Sequence, residues 1–151
     1  MSLKPNYSTY STDDVDLTNL KEYLDDEQKI AFNKIKTEFE NIEFSDIKFE
    51  FAKTEIVNGT EKRIDNVIDF LRKYSMFRIK ISGHADKIGS TKSNYKLSLN
   101  RANAVKTLIV KQGIPEGRLT IEAYGELKPK NENDSESGRQ KNRRVEFKIV
   151  E

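Results

Sequence analysis

Apolar side chains fall on every second position from Ile47 to Phe51, where Ile47, Phe49 and Phe51 alternate with Lys48 and Glu50. A period of two predicts a strand with one buried face. The same alternation returns at Phe77, Ile79 and Ile81, at Leu119, Ile121 and Ala123, and at Val145, Phe147 and Ile149. Between these stretches the period lengthens to that of a helix. Ile64, Val67, Ile68 and Leu71 share one side of a helix expected over about 60–73, with Asn58-Gly59 as the turn before it and Thr60 as its cap. A second helix is expected over about 94–112, closed by Gly113 with Pro115 just beyond. Before the first strand, Tyr23, Leu24, Ile30, Ile35 and Phe39 form a patchy stripe that predicts a helix from about Asp26 to Glu40, with Asp25 or Asp26 as N-cap.

The predicted order is β-α-β-α-β, a long polar loop over 125–142, then β. Loops longer than about 12–15 residues in compact domains tend to be functional or mobile. One face of each strand is polar and can meet water. Right-handed crossovers then place both helices on the other face. The expected fold is α/β (α+β), a two-layer sandwich with helices on one face, plus an N-terminal helical arm. The domain boundary falls near residue 45, giving an arm over 1–45 and a main domain over 46–151. Within the arm, residues 1–20 show no sustained period and are expected to be flexible; the following helix either packs on the domain or continues toward an upstream anchor.

Composition narrows the chemistry. The chain has no cysteine, which excludes disulfides, thiolate nucleophiles and zinc-thiolate sites. No run approaches the roughly 18 apolar residues of a membrane helix, so membrane attachment is expected only through an upstream anchor. The net charge of +2 hides an asymmetry: residues 1–45 carry ten acids and five bases, and the remainder fifteen acids and twenty-two bases. A basic body admits an anionic partner, or is a solvated surface with excess lysine. Tyr and Phe fall at core spacings and build no stacking platform, which argues against nucleic acid.

One helix position stands out. Leu97, Arg101, Ala104, Val105 and Leu108 fall within one stripe of the second helix, with Arg101 near its middle. A guanidinium among core residues needs a partner, and the planar fork suits a carboxylate. Asp86, in the loop after the second strand, is available. The pair reads either as an internal salt bridge or as a ligand site: at the C-terminal end of a strand, where open sheets present ligands, a carboxylate and a guanidinium together complement a zwitterion. Gly83 and Gly89 allow close backbone approach, and Asn94 either caps the helix or offers its amide to a ligand.

The string GHADKIG, then Asn94, LSLNRANAV, Gly113-Ile114, AYGELKP and NRRVEF resembles the OmpA-like, peptidoglycan-associated domain, over about Ile47 to Val150. That domain recurs in outer-membrane proteins, peptidoglycan-associated lipoproteins and flagellar stator subunits. The resemblance implies a mixed sheet in β-α-β-α-β-β order and a non-catalytic function: binding the diaminopimelate of a peptidoglycan stem peptide, in the periplasm. It implies Asp86 and Arg101 as the gripping pair, Asn94 as a further contact, and one of the paired arginines; alternation puts Arg143, rather than Arg144, on the helix side with Val145. Peptidoglycan is the implied partner, together with other envelope proteins, and no cofactor is expected.

His84 is the only histidine, and by itself it builds neither a His-based metal cluster nor a Ser-His-Asp triad. Its ring is expected to brace the loop. The Gly83 and Gly89 spacing is no phosphate-binding fingerprint. Catalytic and metal residues are therefore expected to be absent.

Overall fold

A computed structural model describes residues 22, 24–41, 47–56 and 62–150. The elements are α1 (Asp26–Asn41), β1 (Ile47–Lys48), α2 (Lys62–Lys73), β2 (Ile79–Gly83), α3 (Thr91–Lys111), a 3-10 turn (Glu116–Arg118), β3 (Leu119–Ala123), α4 (Glu136–Asn142) and β4 (Arg144–Ile149). The expected arm over 1–20, the Asn58-Gly59 turn and the Thr60 cap lie outside the described residues.

The four strands form one mixed sheet in the order β1-β4-β2-β3. β2 and β3 run parallel with Ile81 opposite Ile121, and β4 is antiparallel to both β1 and β2. The last strand thus inserts between the first two. Ile47, Ile79, Ile81 and Val145 are fully buried beside Val67 and Leu71 of α2 and Ala102, Val105 and Ile109 of α3. On the opposite face Lys80 pairs with Glu122 at 3.4 Å and Arg144 with Glu146 at 2.7 Å. Among the described residues no helix is long and apolar enough to cross a membrane.

α1 begins in a reciprocal cap: the Gln28 N–H donates to Asp25 Oδ1 at 2.8 Å, and the Asp25 N–H to Gln28 Oε1 at 3.0 Å. Its Phe32, Ile35 and Phe39 join the same core as the sheet. Phe32 stacks on Phe77 with ring centroids 4.7 Å apart, and Phe39 meets Phe70 edge-on at 4.9 Å. Such pairs contribute about 0.5–1.5 kcal/mol each beyond the area they bury. The Tyr74 hydroxyl donates to Glu38 Oε2 at 2.6 Å and ties the helix to the end of α2.

Four expectations need correction. The first strand is shorter than its alternation: Phe51 lies in a turn and is 51% exposed. α3 starts at Thr91, because Ser90 is its N-cap and accepts from the Ser93 N–H at 3.1 Å, so Asn94 does not cap it. The buried face of α3 is Asn94, Ser98, Arg101, Ala102, Val105 and Ile109, rotated from the expected stripe, and Leu108 is 40% exposed. Finally, the long loop contains α4, whose N-cap Ser135 accepts from the Gly138 N–H. The Asn142 amide holds this loop by accepting from the N–H groups of Lys130 and Asn131 and donating to the Asn131 carbonyl. A polar stretch without periodicity gave no hint of these local bonds.

Candidate functional site

At the C-terminal end of β2 the chain passes through His84, Ala85 and Asp86, all buried, before the turn that leads to α3. Gly83 is where helix and strand touch: a Cβ there would lie 1.9 Å from the Ser98 carbonyl oxygen. This close approach sets Asn94 and Arg101, one turn to either side of Ser98, beside the loop. Asp86, Asn94 and Arg101 line one pocket of about 240 Å³, with Phe51, Ile88 and Leu97 among its apolar walls.

Of the two readings of the pair, the internal salt bridge does not form: Asp86 and Arg101 each bond to other partners. Arg101 is fully buried and gives its fork to backbone carbonyls: Nε donates to Lys53 at 2.9 Å, Nη1 to His84 at 3.0 Å and Nη2 to Glu50 at 3.1 Å. Its ring-face neighbour is Phe49, 5.3 Å from the guanidinium carbon. Burial pushes the Arg101 pKa down to about 10; the charge of Asp86 opposes this and that of Arg143 adds to it. Arg101 therefore remains a cation at neutral pH. Five N–H groups against three carbonyls leave two donors with no partner among the described residues.

Asp86 is held from two other directions. Its Oδ1 accepts from the Ile88 N–H at 2.9 Å, and its Oδ2 from Arg143 Nη1 at 3.0 Å. Arg143, 2% exposed, also donates from Nε to the Phe49 carbonyl at 3.1 Å and from Nη2 to Glu136 Oε1 at 2.6 Å. Arg144 lies apart from this group, bonded to Glu146 and to the Lys128 carbonyl at 3.1 Å. Asn94 is 4% exposed, and its Nδ2 has no hydrogen-bond partner among the described residues. The structure thus brings Asp86, Asn94 and Arg101 to one pocket, with Arg143 behind Asp86. Two loop residues escaped sequence reasoning: Glu136, and Asn133, whose Oδ1 accepts from the Lys87 N–H at 3.2 Å. Glu136 carried no periodic signal; its position one residue after the Ser135 cap was the only clue.

The His84 ring points to the other side of the sheet, stacked on Tyr124 at 5.3 Å with Nε2 3.6 Å from Glu146 Oε2. The His84 ring, ahead of Arg144, draws the Glu146 pKa down from 4.5 to about 2 against the effect of burial. A folded-state pKa below the ordinary value stabilises the fold above pH about 4.5, and that contribution is lost as pH falls toward 2. Glu146→Gln is expected to lower the thermal midpoint at pH 7 and to narrow its gap to wild type at pH 2–3, as followed by circular dichroism. A gap that stays constant with pH would remove Glu146 from the acid response.

Comparison with known proteins bears on the family and the fold. The OmpA family matches residues 48–143. Over 104 residues the chain is 38% identical to outer membrane porin F of Pseudomonas fluorescens, covering 69% of this chain and 32% of the porin. It is 34% identical over 99 residues to a peptidoglycan-associated lipoprotein of Rhizobium meliloti, covering 66% of this chain and 56% of the lipoprotein. The chain therefore spans about a third of the first relative and just over half of the second. The C-terminal domain of Helicobacter pylori MotB superposes with a TM-score of 0.65 at 28% identity, covering 71% of this chain and 84% of that domain. Motif order, inserted last strand and family match agree over the same stretch: this chain belongs to the OmpA family.

Proposed function

We propose that residues 46–151 bind peptidoglycan without catalysis, as a periplasmic anchor, and that the pocket at the end of β2 takes the free end of a stem-peptide diaminopimelate. That end is a zwitterion. Its ammonium goes to Asp86, which retains acceptor capacity beyond the Ile88 N–H and Arg143 bonds. Its carboxylate goes to the two unused donors of Arg101, and Asn94 supplies an amide N–H to a peptide carbonyl. The walls from Phe51, Ile88 and Leu97 suit the methylene chain between. The observation that carries this reading is the Asn94 amide, buried, without a partner among the described residues, and lining the same pocket as both charges. Buried donors are seldom left unpaired, and the exceptions call for an explanation. The peptidoglycan association in the name of the Rhizobium lipoprotein supports the same reading. On it, residues 1–45 are an arm toward whatever holds the domain in the envelope.

A second reading is structural: Arg101 pins three carbonyls, and the domain is an interaction unit or spacer. The three bonds favour it for Arg101. They leave Asn94 unexplained. The two readings separate in a calorimetric titration with stem tetrapeptides that carry meso-diaminopimelate or lysine as third residue. Lysine lacks the carboxylate for Arg101, and a charge-assisted contact of this kind contributes about 1.5–3 kcal/mol, so the diaminopimelate peptide is expected to bind roughly tenfold tighter or more. Equal affinities would overturn the zwitterion site.

A further inference from the structure

Arg143 has three nitrogens and three acceptors: the Phe49 carbonyl, Asp86 and Glu136. Nη2, which could close a two-pronged grip on Asp86, is instead 2.6 Å from Glu136. Asp86 therefore receives a single bond from Arg143. The two carboxylates differ in setting: the Asp86 side chain is 4% exposed, that of Glu136 66%. Arg143 draws the Glu136 carboxyl below its ordinary range, so Glu136 is an anion at neutral pH.

The charges decide what the pocket accepts. Arg101, Arg143 and Asp86 alone sum to one positive charge, a site that favours carboxylates and repels an ammonium. With Glu136 the sum is zero, and the negative charge of Asp86 is not spent on Arg143 alone. We infer that Glu136 is a positioning residue for ligand choice: by engaging the second amino group of Arg143, it keeps Asp86 open to the ammonium of a zwitterionic ligand. This rests on the zwitterion reading of the pocket. It assigns a purpose to α4, since Ser135 caps that helix at its first turn and Gly138 packs it against the Glu132 backbone, where a Cβ would lie 2.0 Å from the carbonyl oxygen. Those contacts fix Glu136 over Arg143.

The test is Glu136→Gln, which keeps the shape and a hydrogen-bond acceptor while removing the charge. Three stem tetrapeptides are titrated into wild type and variant, with diaminopimelate, lysine or 2-aminopimelate as third residue; the last keeps the carboxylate and lacks the ammonium. The variant is expected to lose about threefold to fivefold in affinity for the diaminopimelate peptide, the scale of an exposed charge, with no loss for the aminopimelate peptide. The difference between variant and wild type is expected to shrink at 1 M salt, where the screening length falls to about 3 Å. Equal losses for both peptides would mean that Glu136 only braces the loop, and an unchanged diaminopimelate affinity would mean that it does nothing to the site. Either overturns the inference and leaves the pocket assignment intact. Wild type that fails to separate diaminopimelate from both analogues overturns the pocket reading itself, and the inference with it.

Discussion

Arg101→Lys is expected to destabilise the domain by about 2–4 kcal/mol and, on the proposed reading of the pocket, to remove measurable stem-peptide binding at once. The three carbonyls of Glu50, Lys53 and His84 lie 2.9–3.1 Å from three different nitrogens of one planar group. A lysine ammonium is a single point on a flexible stem and cannot meet all of them. The bond to His84 is buried and those to Lys53 and Glu50 are part-buried; a buried acceptor left unpaired costs about 1–3 kcal/mol. With a pKa of about 10, Arg101 carries its charge at neutral pH, so the three carbonyls are gripped by a cation. Urea unfolding and calorimetry on the same preparation measure both quantities. A lysine variant with wild-type stability would show that the Glu50–Lys53 turn does not depend on this side chain.

Gly83→Ala is expected to cost about 3 kcal/mol or more in urea unfolding, at the upper end for overpacked cores. Its Cβ would meet the Ser98 carbonyl oxygen at 1.9 Å and the carbonyl carbon at 2.8 Å, both backbone atoms in the middle of α3. The helix has little room to yield there. The Ser98 hydroxyl donates to the Tyr95 carbonyl at 2.7 Å and accepts from the Gly125 N–H at 2.9 Å, which fastens the helix to the loop after β3. Any outward shift would also carry Asn94 and Arg101 away from Asp86. An alanine variant with an unchanged unfolding midpoint would show that α3 can ride outward on the sheet.

Strand alternation made the sheet legible, since Ile79, Ile81, Val145 and their neighbours are buried on one face as their period requires. Gly113, at φ +96°, ends α3 where the sequence pattern placed the stop. What the pattern could not carry was polar. Ser90 rather than Asn94 starts α3, because a cap is defined by its bond to the Ser93 N–H and not by residue type. Phe51 continues the alternation yet has no sheet neighbour among the described residues, as β1 pairs with β4 only at Ile47 and Lys48. α4 owes its place to the bonds that Asn142 makes within the loop itself. The need of Arg101 for partners was readable from its helix position, but not their identity: backbone carbonyls leave no mark in a sequence, whereas a carboxylate does. Asp86 and Arg101 came within reach through the helix position of Arg101 and the loop after β2, and the resemblance implied the same pair, Asn94 and one of the paired arginines, of which alternation with Val145 selected Arg143.

The three-carbonyl grip of Arg101 changes how this site should be recognised in other chains. An arginine that also pins a turn must stay even when no ligand comes, so its presence is a poor witness to binding. Asp86 is compromised in the same way by its bond to Arg143. Asn94 has no such alibi: its amide nitrogen is buried and serves nothing within the described fold. A survey of related sequences that asks which of them still bind should therefore weigh this asparagine above the charged pair.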